Sequence, residues 1–181
     1  ARLYSLGYQL SGSAFVINKY LRNTWLWERV RVLGGAYGGL SILDPRSGVF
    51  NFVSYRDPNL LATLDNYDAS AKFLQELDAA RLTPQELTKA IIGAIGDMDT
   101  YLLPDAKGWT SLQRWLVGET DEMLQHQREQ VLATTLADFN AFGDVLSRLN
   151  PVAQVVVLGS PEAIQTANAE RKNFLQVQKV L

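Results

Sequence analysis

Gly34-Gly35-Ala36-Tyr37-Gly38-Gly39-Leu40-Ser41-Ile42-Leu43-Asp44-Pro45-Arg46-Ser47-Gly48-Val49-Phe50-Asn51-Phe52-Val53-Ser54-Tyr55 is the stretch that decides the fold class of this chain. Two β-branched and aromatic runs, Ala36 to Leu43 and Val49 to Tyr55, flank a cluster whose Pro45 and Gly48 sit where a turn wants them. That pattern predicts a β-hairpin. The glycine pair ahead of it accepts the left-handed backbone that ends helices, so it closes whatever helix precedes it. Upstream, Ser11 to Ser13 offer an N-cap. From Ala14 to about Val32, Phe15, Val16, Tyr20, Trp27 and Val30 recur at helical spacing, with Ile17, Leu21 and Leu26 widening the stripe. A helix apolar on so much of its circumference is expected to be mostly buried, and Trp25 and Trp27 are read as core.

Downstream the pattern changes from period 2 to period 3.6. Asp57-Pro58 is read as an N-cap with proline at the first helical position, followed by Leu60, Leu61, Leu64, Tyr67, Ala71, Leu74 and Leu77. Thr83-Pro84-Gln85-Glu86 has the form of a capping box and opens a helix with Leu87, Ile91, Ile95 and Met98 on its inner face, closed by Leu103-Pro104. Gly108 and Trp109 fall in an expected connection, where Trp109 and Trp115 accompany Leu112 and Leu116 as core residues. Thr120 and Thr134 or Thr135 cap two more helices, the second with Leu136, Phe139, Val145 and Leu149 inward. Ala153 to Leu158 reads as a covered strand, and Ser160-Pro161-Glu162 starts a last helix to about Glu170. The expected fold is α+β, a largely antiparallel sheet with helices packed on one face, in a single domain over residues 1–181.

Composition excludes several function classes. The 181 residues are enough for one core burying about two-thirds of the unfolded surface. With 47% hydrophobic and 20% charged residues the chain is an ordinary globular one. Its net charge of -2 carries no footprint for nucleic acid or an anionic membrane. No apolar run reaches the roughly 18 residues of a membrane span, and the first residues show no targeting segment. The absence of cysteine removes disulfides, thiolate nucleophiles and Cys-type metal sites. The first residue is Ala1 rather than Met, as expected of a processed chain or a piece of a longer one.

Few residues are left to carry chemistry. His126-Gln127-Arg128-Glu129-Gln130 falls one histidine short of H-x-x-E-H, and His126 is the only histidine. Zinc needs three protein ligands and an open position, so no metal ligand is assigned here and a solvated helix surface is expected instead. Gly34, Gly35 and Gly38 permit close approach of another backbone, as a strand edge pairing with an extended peptide requires; a helix stop and flexible strand entry explain them equally. Arg31 and Tyr37 lie on either side of the glycine turn, as two strong donors for a peptide carbonyl and its oxyanion. From residues alone, a helix-terminal cation and a half-buried strand aromatic are the alternatives.

Arg29-Val30-Arg31-Val32-Leu33-Gly34-Gly35-Ala36-Tyr37-Gly38-Gly39 resembles a segment of the presequence proteases, in the pitrilysin and insulinase group of zinc peptidases. Gly12-Ser13-Ala14, Asn23-Thr24-Trp25-Leu26-Trp27, Ser54-Tyr55-Arg56-Asp57-Pro58-Asn59-Leu60 and Lys89-Ala90-Ile91-Ile92-Gly93 extend the resemblance. Leu103-Pro104-Asp105-Ala106-Lys107-Gly108 and Asn168-Ala169-Glu170-Arg171 carry it towards the end of the chain. The resemblance implies the last domain of a zinc endopeptidase that closes around short unstructured peptides such as targeting presequences. It implies a zinc cofactor held in the N-terminal half of the same enzyme, with this piece inactive by itself. Arg31 and Tyr37 match the arginine and tyrosine that the family contributes to the substrate; Gly34, Gly35 and Gly38, by allowing close backbone approach, are the expected substrate-binding residues beside them. Mitochondrion or chloroplast is the implied location, with the bacterial cytoplasm as the other option. Related domains begin with a strand upstream of Ala1, so an unpaired sheet edge open to self-association is expected. A catalytically silent structural subunit of the same group and an independent helical interaction module are the competing readings.

Overall fold

An α-helix at Ser13–Leu21 (α1) runs without a break into a wider helix at Arg22–Leu33, in the computed structural model that describes residues 1–172 and 174–178. The wider part has the i→i+5 bonding of a π-helix, a form usually confined to single turns. In α1, Ala14, Val16, Ile17, Tyr20 and Leu21 are buried. Beyond it only Leu26 and Val30 are, among neighbours that include three arginines and a glutamate. The expectation of a mostly buried helix therefore holds for the first part alone. Trp25 is half-buried, stacked on Phe73 at 4.7 Å, and its indole N–H donates to the Asn66 carbonyl at 2.8 Å. Trp27, expected in the core, is 48% exposed.

Strands β1 (Gly38–Leu43) and β2 (Phe50–Tyr55) form the expected antiparallel hairpin, with Gly38 opposite Tyr55 and Leu43 opposite Phe50. Its turn is closed by the Gly48 N–H donating to the Asp44 carbonyl at 2.9 Å, with Gly48 at φ 69°. The first residues of the chain lie along the start of β2, where the Phe50 N–H donates to the Ala1 carbonyl at 2.9 Å. Among the described residues, β1 has no neighbour on its other edge. Period-2 alternation buries Gly39, Ser41, Leu43 and Phe50 on one face and exposes Leu40, Ile42, Val53 and Tyr55 on the other. The helices cover the inner face only. This is the α+β arrangement read from the sequence.

Helices α2 (Leu60–Gln75), α3 (Pro84–Met98), α4 (Pro104–Val117), α5 (Asp121–Leu132), α6 (Leu136–Leu149) and α7 (Pro161–Glu170) follow. Thr83, Thr120 and Ser160 each accept an N–H three residues on, and Thr135 with Asp138 forms a full capping box. α2 packs along α6, where Phe139 and Leu146 are fully buried. The crossing is close: a Cβ on Gly143 would lie 2.9 Å from the Ala71 carbonyl oxygen. The Asn140 amide donates to the carbonyls of Leu74, Gln75 and Leu77 at 2.9, 3.1 and 3.1 Å, which satisfies the end of α2.

Five further expectations require correction. α2 starts at Leu60 with Asn59 at its N-cap, because Asp57 uses its carboxylate to hold the Asn59 N–H at 2.9 Å. α3 ends at Met98, and Pro104 opens α4 rather than closing α3. The expected connection around Gly108 and Trp109 is helical: Pro104 stands within its first turn, and one interior glycine costs only about 1 kcal/mol relative to Ala. Trp109 and Trp115 on that helix are 61% and 76% exposed, not core. Lastly, Ala153 to Leu158 is no covered strand. It pairs with nothing among the described residues, and Val156 and Leu158 are 92% and 83% exposed. A strand exists only with a partner, which a local apolar run does not supply.

Candidate functional site

The turn between helix and hairpin is built by glycine conformations and by a bond back to the helix. Gly35 sits at φ 74°, its N–H donates to the Arg31 carbonyl at 3.0 Å, and the Ala36 N–H reaches the Val30 carbonyl at 3.1 Å. Gly34 and Gly39 serve close approach within the chain itself. A Cβ on Gly34 would lie 2.5 Å from the Val30 carbonyl oxygen, and one on Gly39 would lie 2.9 Å from the Val30 side chain. Gly38 faces open space. The glycine-rich entry thus lets the π-helical segment and β1 lie almost in contact, with Arg31 just before the turn and Tyr37 just after it.

Both side chains are exposed. The Arg31 guanidinium lies over the Trp27 ring at 4.2 Å, and Arg29 lies over Trp25 at 5.1 Å, so each cation stacks on an indole four residues earlier. Tyr37 meets Tyr55 edge to face at 6.0 Å, while its N–H is shared between the carbonyls of Tyr55 and Arg56 at 3.1 and 3.4 Å. Arg31 and Tyr37 are thus anchored separately, to Trp27 and to Tyr55; no hydrogen bond or ring contact joins them directly among the described residues. Beyond Tyr37, Leu40, Ile42, Val53 and Tyr55 continue an exposed apolar face along the hairpin. Behind it Phe52 stacks on Tyr67 at 4.9 Å, and burial, with the Asp57 carboxylate adding to it, pushes the Tyr67 phenol up to about 12.

The near-zinc motif is elsewhere. His126 is exposed on α5 with its Nε2 3.1 Å from the Gln130 amide nitrogen, and the Gln130 oxygen accepts the Gly12 N–H at 2.8 Å. Gln130, where the motif would have its second histidine, holds α5 against the start of α1. Among the described residues no three His, Asp or Glu side chains converge as metal ligands would.

Tyr55, Arg56 and Asn59 were not singled out by sequence reasoning, although they surround the turn. The Asn59 amide donates to the Gly34 carbonyl, and the Arg56 guanidinium lies over the Tyr55 ring at 5.4 Å. The sequence signal available was the Ser54-to-Leu60 block itself, which carries a resemblance but no spacing that points back to Gly34.

A family model described as the PreP C-terminal domain matches residues 1–161. The chain belongs to that family. It is 54% identical over 179 residues to presequence protease 1, chloroplastic/mitochondrial, of Arabidopsis thaliana, covering 99% of this chain and 16% of the relative. Protein HypA of Clostridium perfringens is 35% identical over 159 residues, 88% of this chain and 16% of the relative. The mitochondrial presequence protease of Xenopus tropicalis is 32% identical over 145 residues, 80% of this chain and 13% of the relative. The chain therefore spans about a sixth or less of the length of these curated relatives. In this PreP C-terminal domain the exposed sheet face with its glycine turn is the candidate site.

Proposed function

We propose that this domain is the substrate-side wall of a zinc endopeptidase that degrades short unstructured peptides, cleaved targeting sequences among them. The observation that carries the reading is the exposed guanidinium and phenol flanking the glycine turn, at one end of an apolar sheet face whose β1 edge is open. An extended peptide adds to such an edge through its own backbone, whereas its side chains lie on Leu40, Ile42 and Val53. Arg31 and Tyr37 then donate to the carbonyl of the bond to be cut. As that carbon becomes tetrahedral its oxygen gains charge, and donors already in place stabilise it without reorganisation. Gly38, which has nothing near its missing side chain, leaves room for the peptide backbone, while Gly34 and Gly35 set the turn.

The donor set of this chain does not fit a zinc site, given one exposed histidine and no convergent carboxylates among the described residues. We assign the metal to the N-terminal half of the enzyme, and this domain by itself to an inactive state. That half is also the partner assigned to the exposed apolar face of α4 and to the Ala153 to Leu158 run, since some five-sixths of the plant relative lies outside the matched region. An unsatisfied β1 edge makes the isolated domain prone to pair with a second copy. The names of the relatives point to mitochondrion or chloroplast as the site of action.

Joining the domain to its upstream half tests the assignment. Peptide cleavage by the joined enzyme is expected to fall about 100- to 1000-fold in kcat for Arg31→Ala and for Tyr37→Phe, corresponding to roughly 2.7–4 kcal/mol per donor. Near-normal turnover in both variants would sink the assigned roles.

A further inference from the structure

Asn59 stands at the N-cap of α2, a position where an asparagine side chain ordinarily accepts an N–H from its own helix. It makes no such bond. Its amide instead crosses 25 residues of sequence to donate to the Gly34 carbonyl, and its own N–H is held by Asp57. Three residues before Asn59, Arg56 adopts φ 49°, the only positive φ among the described non-glycine residues and one that such residues rarely take. That conformation leaves the Tyr55 and Arg56 carbonyls both within reach of the Tyr37 N–H, and it sets the Arg56 guanidinium over the Tyr55 ring, against which Tyr37 packs. Between these two contacts Pro58 comes within 3.7 Å of the position a Cβ on Gly35 would take.

The segment Tyr55 to Asn59 thus bonds both ends of the turn, Gly34 and Tyr37, and Pro58 stands over Gly35 between them. Ala36 is held from the other side by its bond to Val30. We propose that Arg56 and Asn59 are positioning residues that clamp the glycine turn and so fix where the Tyr37 phenol stands relative to Arg31. The turn needs such a clamp because Gly34, Gly35 and Gly38 give it more accessible backbone conformations than any other segment of comparable length here, and two donors act together only if their separation is fixed.

The catalytic consequence rests on the function proposed for Tyr37, so the test has one arm that does not. In the 181-residue chain, 3-fluorotyrosine placed at Tyr37 reports its ring environment by fluorine NMR. Asn59→Ala and Arg56→Gly are expected to shift its line, and Arg56→Lys to restore it; Arg56→Gly keeps the fold safe because glycine accepts the left-handed backbone. An unmoved line in both variants overturns the clamp. In the joined enzyme each variant is expected to lower kcat about 10- to 100-fold with KM nearly constant, as misplacement of a reacting group does. In a Tyr37→Phe background the same substitutions should then add nothing, while full additivity there also overturns the proposal. A fluorine line that moves without any change in kcat upholds the clamp and refutes the catalytic reading of Tyr37.

Discussion

The α2–α6 pair and the α4 helix are written in the same amphipathic style and meet opposite fates. Along the first, Leu74, Phe139 and Leu146 are fully buried, and the Asn140 amide closes the end of α2. On α4 no residue is buried, and Trp109, Leu112, Trp115 and Leu116 all stand at least 45% exposed. Periodicity therefore decides that a segment coils and which side is apolar, but a second surface decides whether that side leaves water. The difference separates what holds this domain together from what it leaves facing water.

Truncating the buried region should give the largest effect. Phe139→Ala empties a site that is fully enclosed and meets Tyr20 edge to face at 5.4 Å, so a loss of about 3–5 kcal/mol in denaturant unfolding is expected. A loss below about 1 kcal/mol would mean that α2 and α6 collapse onto the gap and are not the rigid half of the comparison. The second effect is alkaline. Tyr67 and Tyr8 both have phenols pushed up to about 12 by burial, against 10.0 in the open chain. Below pH 10 folded and unfolded states both keep these protons. Between 10 and 12 the unfolded chain releases them first, so stability is present below that window and drains away as pH rises through it. Unfolding measured from pH 9 to 12 should show this slope reduced in Tyr67→Phe; an unchanged slope would show that the phenol reaches water.

Much of the fold was legible because its signals are local. Thr83, Thr120, Thr135 and Ser160 mark helix starts with their own side chains, and the hairpin is set by alternation and by Pro45 and Gly48. The misreadings of burial and of the strand share a cause, which is that each depended on a surface distant in sequence. Gly108 looked like a break because nothing nearby showed that Pro104 starts a helix through it. Ala153 to Leu158 looked like a strand because its partner is not a property of the run itself. At the site, Arg31 and Tyr37 were located by resemblance and by the short turn between them. Tyr55, Arg56 and Asn59 escaped notice because their role is defined only once Gly34 and Tyr37 have folded back onto them.

The smallest expected effect is the one that tests the comparison most directly. Trp115 on α4 is 76% exposed, and the described residues place no buried side chain anywhere on that helix. Trp115→Gln should then change the stability of the isolated domain by no more than about 0.5 kcal/mol, despite removing the largest side chain type available. A hydrophobic scale applied to the sequence alone predicts a loss several times larger, since full burial of an aromatic would contribute roughly 1.5–3 kcal/mol. If unfolding shows the larger loss, α4 folds down onto the body in solution and the two regions are one. If it shows the smaller, and Trp115 fluorescence moves to the blue only when the upstream half is present, the apolar face of α4 belongs to the assembled enzyme rather than to this domain.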